Sequence, residues 1–258
     1  YSEMLFVMQK LSEILSKKSK NRGIIDFDIP EIKLKLNENT KLLEVACNNG
    51  LNLSILAKQN PKAKFYGIDL DAKLIEEANE KFEKEGIKNV EVKKANAIKL
   101  PYEDETFDYI INEAMLTMLP DVTKEKALKE YMRVLKKGGL VLTHDVAIIT
   151  HENEVKKKLS EGININVSPM TIANWKKLFE KCGYEFSSEK HGKLTLMTPK
   201  GMLKDEGFFN MLKIVFNGLK KENREQFFKM RKTFSSLKDD INYVAFVFKK
   251  GDKWKLPL

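Results

Sequence analysis

The residues best suited to chemistry in this sequence are polar side chains that follow apolar, strand-like segments. Asp69 ends the apolar segment 65–68, and a carboxylate at that place can accept hydrogen bonds from both hydroxyls of a ribose. The polar turn 47–50 follows an earlier apolar segment, 42–46, and precedes a helix-like stretch. A strand, a tight turn that opens a helix, and a second strand ending in an acid are typical of the nucleotide-binding half of a doubly wound sheet. The pattern predicts a cofactor that carries adenosine.

A second group of polar residues lies at or just beyond the ends of two later strand-like segments. These residues are Asn112, Glu113, Thr117, His144 and Asp145. Because the carboxyl ends of parallel strands meet at one edge of a sheet, we expect this group to lie beside the cofactor. An imidazole titrates near neutral pH, so His144 can act as a general base, and Asp145 can do the same or bind a substrate amine. His144 can equally be a strand residue that packs into the fold.

An alternation of strand-like and helix-like segments must position these side chains. Over 41–148 the segments alternate with short connections, which predicts a parallel sheet covered by helices on both faces. The segments 184–188 and 241–248 predict two further strands. Between residues 148 and 184, Thr171 is predicted to cap a helix that ends at Gly183.

The first turn resembles the E-x-G-x-G-x-G motif of class I S-adenosylmethionine-dependent methyltransferases. It occurs here as Glu44-x-Ala46-x-Asn48-x-Gly50, with Asp69 at the end of the next strand-like segment. Asn48 tolerates a positive φ better than most residues, and Ala46 is small enough to keep the backbone close, so both can stand at glycine positions. Further family motifs follow in the same order, and the resemblance covers roughly residues 34–184. These motifs are Asn96-Ala97 followed by Leu100-Pro101, Phe107–Glu113, and Lys136–Gly139.

The resemblance implies an α/β fold with a doubly wound, mostly parallel seven-stranded sheet in the order 3-2-1-4-5-7-6, in which strand 7 is antiparallel. It also implies an enzyme that uses S-adenosylmethionine, releases S-adenosylhomocysteine and transfers the methyl group by in-line displacement. The implied cofactor-binding residues are Glu44, Ala46, Cys47, Asn48, Gly50, Asp69, Leu70, Asn96, Ala97 and Asn112. Glu44 more often steadies the loop in this family than touches the ligand.

The resemblance also assigns roles to individual residues. Asp69 would hold the ribose, Leu70 would pack on the adenine face, and the amide oxygen of Asn96 would accept from the adenine amino group. The backbone at Ala46 and Asn112 would meet the methionine amino group. The catalytic candidates, which lie where the methyl group would sit, are Glu113, Thr117, His144 and Asp145.

Four regions are predicted along the chain. They are an N-terminal helical lid region over 1–36, the methyltransferase core over 37–190, a helical insertion over 191–240, and the last core strand with a tail over 241–258. The N-terminal helix, predicted from apolar residues at helical spacing, either packs on the sheet or lies over the cofactor. The insertion is rich in methionine and phenylalanine, so its apolar side chains must be buried. It forms a cap over the substrate pocket, an interface in a homodimer or an extension of the core, and we favour the cap.

Composition limits the partners and the compartment. The formal net charge is +9, but arginine, the residue favoured for bidentate phosphate and base contacts, occurs only at Arg22, Arg133, Arg224 and Arg231. The charge therefore favours a lysine-rich solvated surface over a nucleic-acid partner. Cys47 and Cys182 lack metal-type spacing, so we expect reduced thiols and no metal site. Because no apolar run could span a bilayer and no signal-peptide pattern occurs, we expect a cytoplasmic protein with no membrane partner.

The acceptor must be inferred mainly from missing motifs. No N-P-P-Y-like tetrapeptide and no Pro-Cys pair follow the segment 107–111, which disfavours a nucleobase. The loop 113–118 is apolar, and we expect a small-molecule acceptor with an amine, hydroxyl, thiol or activated carbon. Methylation of RNA is the first alternative. A non-catalytic, cofactor-binding or regulatory role is the second, because two motif glycines are replaced. A nicotinamide enzyme is disfavoured by the missing G-x-G-x-x-G loop.

Overall fold

A mixed β-sheet forms the centre of the protein. The computed structural model describes residue 34, residues 36–194, residue 212 and residues 215–251. In this part the sheet has eight strands: β1 (Lys41–Val45), β2 (Lys64–Asp69), β3 (Val90–Lys94), β4 (Phe107–Glu113), β5 (Leu135–Ile148), β6 (Met170–Thr171), β7 (Tyr184–Lys193) and β8 (Ile241–Lys250). Their order is β3-β2-β1-β4-β5-β8-β7, with β6 on the end of β5. β8 runs antiparallel to β5 and β7, and the other pairs are parallel.

Helices connect the strands and cover both faces of the sheet. They are α1 (Leu51–Gln59), α2 (Ala72–Lys84), α3 (Asp121–Val134), α4 (Glu152–Ile163), α5 (Ile172–Lys181) and α6 (Arg224–Ser236), with a short 3₁₀ turn at Leu116–Met118. Successive side chains of a strand point to opposite faces. Leu43 and Val45 therefore join a buried apolar cluster with α3 and α5, whereas Leu42 joins a second cluster with α1 and α2.

The predicted fold class and strand order are confirmed, with differences in detail. β8 and β7 are the strands numbered 7 and 6 in the sequence-based order, and β8 is antiparallel as predicted. β6 was not predicted, because two residues carry no usable periodicity. The predicted cap at Thr171 forms, and Asp71 caps α2 in the same way. The Asp71 carboxylate accepts a hydrogen bond from Lys73 N at 2.8 Å, and the Thr171 hydroxyl accepts one from Asn174 N at 3.2 Å.

Only part of the two peripheral regions is described. Of the predicted lid region 1–36, the structure describes residues 34 and 36, so the predicted N-terminal helix lies outside the described residues. β7 continues into the predicted insertion as far as Lys193, and α6 occupies its second half. α6 packs closely on α4: a Cβ added at Gly162 would overlap the side chain of Thr233, and Gln226 Nε2 donates to the Gly162 carbonyl at 3.2 Å.

No helix in the part of the chain that the structure describes is both long and apolar enough to cross a membrane.

Candidate active site

The turn between β1 and α1 places three alternating residues in the left-handed region. Ala46, Asn48 and Gly50 have φ values of 59°, 51° and 69°. These are the positions at which the resembling motif has glycine, so the chain keeps the backbone shape without two of the glycines. Asparagine visits this region at modest cost, whereas alanine is strained there. The turn is therefore a strained but preserved form of the motif.

Backbone hydrogen bonds hold this turn against the end of β2. Cys47 N donates to the Ile68 carbonyl at 2.9 Å, and Gly50 N donates to the Cys47 carbonyl at 2.9 Å. The close approach depends on a small residue in β2, because a Cβ added at Gly67 would lie 2.8 Å from Cys47 Sγ. The buried Cys47 thiol packs here, and burial raises its pKa far above the ordinary value, so it is unreactive.

Replacing Ala46 with glycine is expected to stabilise the protein by about 1 kcal/mol, because glycine adopts a left-handed φ without the steric cost that alanine bears. Urea denaturation measures the change. The matched control is Ala57→Gly, inside α1. Glycine at that helical position is expected to lower stability by about 1 kcal/mol. Equal losses at both positions would contradict the assigned strain.

Asp69 ties the turn to the start of α2. Its Oδ2 accepts from Asn48 N and its Oδ1 from Asp71 N, both at 3.0 Å. Burial raises the pKa of this carboxyl, and the two hydrogen bonds act in the opposite direction. The backbone N–H of Leu70 also acts on this carboxylate in the same direction as these bonds, and the carboxylate keeps accepting capacity for a ligand. The next residue, Leu70, leaves 63% of its surface exposed, which is unusual for a large apolar side chain beside a polar edge.

The turn after β3 lies next to Asp69. Ala95 N donates to the Asp69 carbonyl at 2.9 Å, which brings the following residues Asn96 and Ala97 to the same edge. Asn96 is exposed, and its Oδ1 accepts from Ile98 N at 3.1 Å. An amide oxygen accepts two hydrogen bonds, so one site of Asn96 remains for the predicted contact with adenine.

Two carboxylates share one amide at the ends of β1 and β4. Asn52 Nδ2 donates to Glu44 Oε1 at 2.8 Å and to Glu113 Oε2 at 3.3 Å. Glu44 is only 3% exposed, and its Oε2 has no hydrogen-bond partner among the described residues. Burial, with smaller contributions from the charges of Glu113 and Asp69, raises the pKa of Glu44 to about 8. Glu44 therefore holds a proton at neutral pH in this structure.

This proton makes stability depend on pH. Between the ordinary pKa of 4.5 and about 8, the folded state holds a proton on Glu44 that the unfolded state has lost. Raising the pH through this window should therefore lower the free energy of unfolding, by at most about 1.4 kcal/mol per pH unit. Glu44→Gln has no such proton. In urea denaturation its stability relative to wild type should improve from about pH 5.5 to about pH 7.5, and parallel pH curves would contradict the assignment.

Asn112 is fully buried between the turn and β5. Its Nδ2 donates to Thr143 Oγ1 at 2.9 Å, while its Oδ1 has no partner among the described residues. Asn112 is the neighbour of Val45 across the β1–β4 pair, so its backbone lies beside Ala46. Ala46 and Asn112, whose backbone was predicted to meet the methionine amino group, are therefore adjacent.

His144 and Asp145 point to opposite faces of the sheet. His144 lies on the same face as Glu113, with its Nδ1 3.7 Å from Glu113 Oε1 and its side chain 31% exposed. Asp145 is 3% exposed, and its Oδ1 accepts from Thr117 N at 2.9 Å. Thr117 is also buried, and its carbonyl accepts from Ser168 N at 2.8 Å.

The contacts of Asp145 and Thr117 favour a structural role. They anchor the 3₁₀ turn to β5 and to the loop before β6, and burial raises the pKa of Asp145. The sequence analysis allowed Asp145 to act as general base in place of His144. This geometry does not favour that alternative, because neighbouring strand residues point to opposite faces and cannot face the same acceptor. Of the four catalytic candidates, the structure brings Glu113 and His144 together on a partly exposed face.

Comparison with known proteins identifies the family. The sequence profile described as "Methyltransferase domain" matches residues 36–185. The chain belongs to the class I S-adenosylmethionine-dependent methyltransferases. The methyltransferase is 44% identical over 211 residues to an uncharacterized protein of Haemophilus influenzae, an alignment that covers 81% of this chain and 84% of that protein. S-adenosylmethionine is the cofactor of the enzyme.

Relatives with assigned names are more distant. The methyltransferase is 31% identical over 111 residues to demethylmenaquinone methyltransferase of Anoxybacillus flavithermus, covering 43% of this chain and 46% of that enzyme's length. It also resembles the structure of phosphoethanolamine N-methyltransferase 2 of Haemonchus contortus in complex with S-adenosyl-L-methionine. The TM-score is 0.66 at 16% identity, over 98% of this chain and 53% of that chain. This likeness concerns the fold.

Two site residues of the methyltransferase were not foreseen from the sequence. Asn52 joins Glu44 to Glu113, and the ring of Tyr243 in β8 lies 5.5 Å from that of His144, centroid to centroid. A helix residue such as Asn52 has no local signal of this role. The alternation of β8 could have placed Tyr243 on the same face as Ala245, but its pairing with β5 is needed to bring it to His144.

Proposed function

We propose that this methyltransferase transfers the methyl group of S-adenosylmethionine to a small-molecule acceptor. The sulfonium supplies an already activated methyl carbon. The protein must hold the acceptor in line with that carbon, exclude water and take up a proton where the acceptor has one to lose. The chain's own residues are therefore expected to bind and orient rather than to form covalent intermediates.

The residues at the carboxyl ends of the parallel strands fit the cofactor. The Asp69 carboxylate keeps accepting capacity for the ribose hydroxyls, and exposed Leu70 offers an apolar surface for the adenine. Asn96 keeps one accepting site for the adenine amino group. The buried Oδ1 of Asn112, without a partner among the described residues, adds an acceptor where the cationic methionine amino group would lie, and Glu44, whose Oε2 also lacks a partner there, accepts from that cation once the carboxyl has lost its proton.

The charge at this edge carries the proposal of a small molecule over RNA. The carboxylates of Asp69 and Glu113 lie at the ends of β2 and β4, beside the buried carboxyl groups of Glu44 and Asp145, whose pKa values burial raises. Within the described ranges, no lysine or arginine forms an ion pair with Glu44, Asp69 or Asp145. The Asp69 and Glu113 carboxylates repel the phosphates that dominate RNA affinity, although Lys81 lies close by at the Asn49 carbonyl and the whole chain is basic. The names of the two relatives above also refer to small acceptors.

A non-catalytic role has less support. It was suggested by the replaced glycines, but Ala46 and Asn48 adopt the left-handed φ that the motif needs. The turn therefore keeps the backbone shape of a cofactor-binding turn in spite of both replacements.

We also propose that the second half of the insertion helps to cap the acceptor side. α4 follows the carboxyl end of β5, and α6 packs on α4 at Gly162 and Thr233. A third buried cluster, which includes Ile148 of β5, Val155 of α4 and Leu237 after α6, joins these elements. A homodimer through 191–240 is the alternative, and sedimentation of the purified protein distinguishes the two.

Calorimetric titration with S-adenosylmethionine and S-adenosylhomocysteine tests the proposal first. Micromolar affinity for either is expected, followed by labelled-methyl transfer to a small-molecule extract. Binding without any transfer would favour the regulatory alternative. Transfer to RNA, with affinity that falls steeply as salt rises, would favour the nucleic-acid alternative.

A further inference from the structure

Three polar side chains from adjacent strands meet on one face of the sheet. Glu113 of β4 is the neighbour of His144 of β5 across that strand pair, and His144 is the neighbour of Ala245 of β8. Tyr243, two positions before Ala245, lies diagonally opposite His144, and the two rings are tilted by 42°. Side chains of Glu113 and His144 are 35% and 31% exposed, so a ligand can reach both.

This set, Glu113, His144 and Tyr243, lies beside the place where the methyl group would be held. Glu113 is joined through Asn52 to Glu44 at the end of β1, and Glu113 directly follows Asn112. The loop after Glu113 is fixed to β5, because Ala114 N donates to the His144 carbonyl at 2.7 Å. The set therefore has a defined position relative to the turn between β1 and α1, residues 46–50, which we call the motif turn.

The charges around the set select the kind of acceptor. The charged neighbours that act on Glu44 are Glu113 and Asp69, both acids. A cation that binds here is attracted by Glu113 and also favours the ionised form of Glu44. A carboxylate or phosphate acceptor would instead meet like charge. His144 is the proton acceptor within the set, and its Nδ1 lies 3.7 Å from Glu113 Oε1.

We propose that Glu113, His144 and Tyr243 form the acceptor site of the methyltransferase, and that the acceptor is a primary or secondary amine bound as its ammonium form. This inference rests on the proposed function. The ammonium gives one N–H proton to the His144 imidazole, and the neutral nitrogen forms a bond with the methyl carbon as the bond from that carbon to sulfur breaks. The electron pair of the broken bond stays on sulfur, so the products are S-adenosylhomocysteine and an N-methylammonium. The imidazolium then releases its proton to water.

Tyr243 contributes an aromatic surface for the ammonium. Its ring lies over Gly192 of β7, where an added Cβ would be 2.9 Å from Tyr243 Cε1. Only glycine leaves room for the ring in this place, so Gly192 is a positioning residue for Tyr243. An ammonium held near an aromatic face gains cation–π attraction, which suits the cation that binds and the methylated cation that forms.

Chemical blocking of amines tests the class of acceptor. Labelled-methyl transfer is measured with a deproteinised small-molecule extract of bacterial cells, and with the same extract after acetylation of its amines. Transfer is expected with the first and is expected to be lost with the second. Transfer that survives acetylation overturns the inference while leaving the proposed function intact. If neither extract accepts methyl although S-adenosylhomocysteine binds, the proposed function fails and the inference fails with it.

Variants test the residues on the acceptor found in this way. His144→Gln is expected to lower kcat by about a hundredfold or more, the usual contribution of a positioned base. Glu113→Gln is expected to raise KM for the acceptor by about tenfold, the effect of losing a charged hydrogen bond. The matched control is His191→Gln, because His191 also lies 3.7 Å from a glutamate, Glu189, but on β7 and outside the site.

The control separates a site from a general effect of losing a histidine. His191→Gln should leave kcat and KM unchanged, and calorimetry should give wild-type affinity for S-adenosylhomocysteine in all three variants. A His144→Gln variant with kcat within about threefold of wild type would overturn the assignment of His144.

Discussion

Alanine in place of Asp69 is expected to weaken binding of S-adenosylhomocysteine by about a hundredfold or more. The carboxylate can accept from two ribose hydroxyls, and hydrogen bonds to charged groups contribute about 1.5–3 kcal/mol each. The same change removes the acceptor of Asn48 N, so the motif turn also loses its tie to β2. Calorimetric titration of the purified variant measures the loss.

The neighbouring Asp71 supplies the control. Its carboxylate caps α2 by accepting from Lys73 N, so Asp71→Ala should cost about 1 kcal/mol of stability and leave cofactor affinity nearly unchanged. If both variants lost affinity equally, Asp69 would act through folding rather than through the ribose. Wild-type affinity in Asp69→Ala would remove the ribose assignment altogether.

Gly50→Ala is expected to destabilise the protein by about 3 kcal/mol and to abolish cofactor binding. The backbone there has a φ of 69°, which costs an alanine about 1–2 kcal/mol. The added methyl would also overlap the ring of Phe82, and overpacking costs about 1–3 kcal/mol more. Relief of the overlap would push α1 away from α2 and move the turn that faces the ligand.

The variant Gly86→Ala separates the cost of the left-handed φ from the cost of the overlap with Phe82. Gly86 has a similar φ of 67°, but an added Cβ there would meet nothing within 4 Å. Gly86→Ala should therefore cost only the backbone term, about 1 kcal/mol, with cofactor affinity unchanged. Denaturation curves in which both variants lose the same stability would show that the contact with Phe82 is not limiting.

The turn between β1 and α1 and its contact with the end of β2 were the most predictable part of the candidate site. The order of elements along the chain was sufficient for this prediction, because a strand, a turn and a second strand place Gly50 and Asp69 close together with few alternatives. The structure also shows why the glycine substitutions were tolerable, since Asn48 adopts a left-handed φ. Strand order followed from the same alternation, and β8 takes its predicted antiparallel place.

The arrangement proposed for the acceptor was less predictable, because it depends on which face of the sheet each side chain takes and on pairing between strands far apart in the chain. His144 and Asp145 are neighbours in sequence, yet the pleat sends one toward Glu113 and the other into the core. Sequence alone cannot decide which residue of such a pair is buried. Tyr243 reaches the site only through the β5–β8 register, which joins residues far apart in the chain. Asn52 likewise acts through α1 packing rather than through a motif.

The place of β8 in the sheet has a consequence for synthesis of the protein. β8 is inserted between β5 and β7, and pairs with both along most of their lengths. A nascent chain on the ribosome can complete the half from β3 to β5 early, but among the described strands β7 has no neighbour until residues 241–250 have emerged. Until then two strand edges lie open to other chains, so chaperone contact and aggregation should both concentrate in this interval.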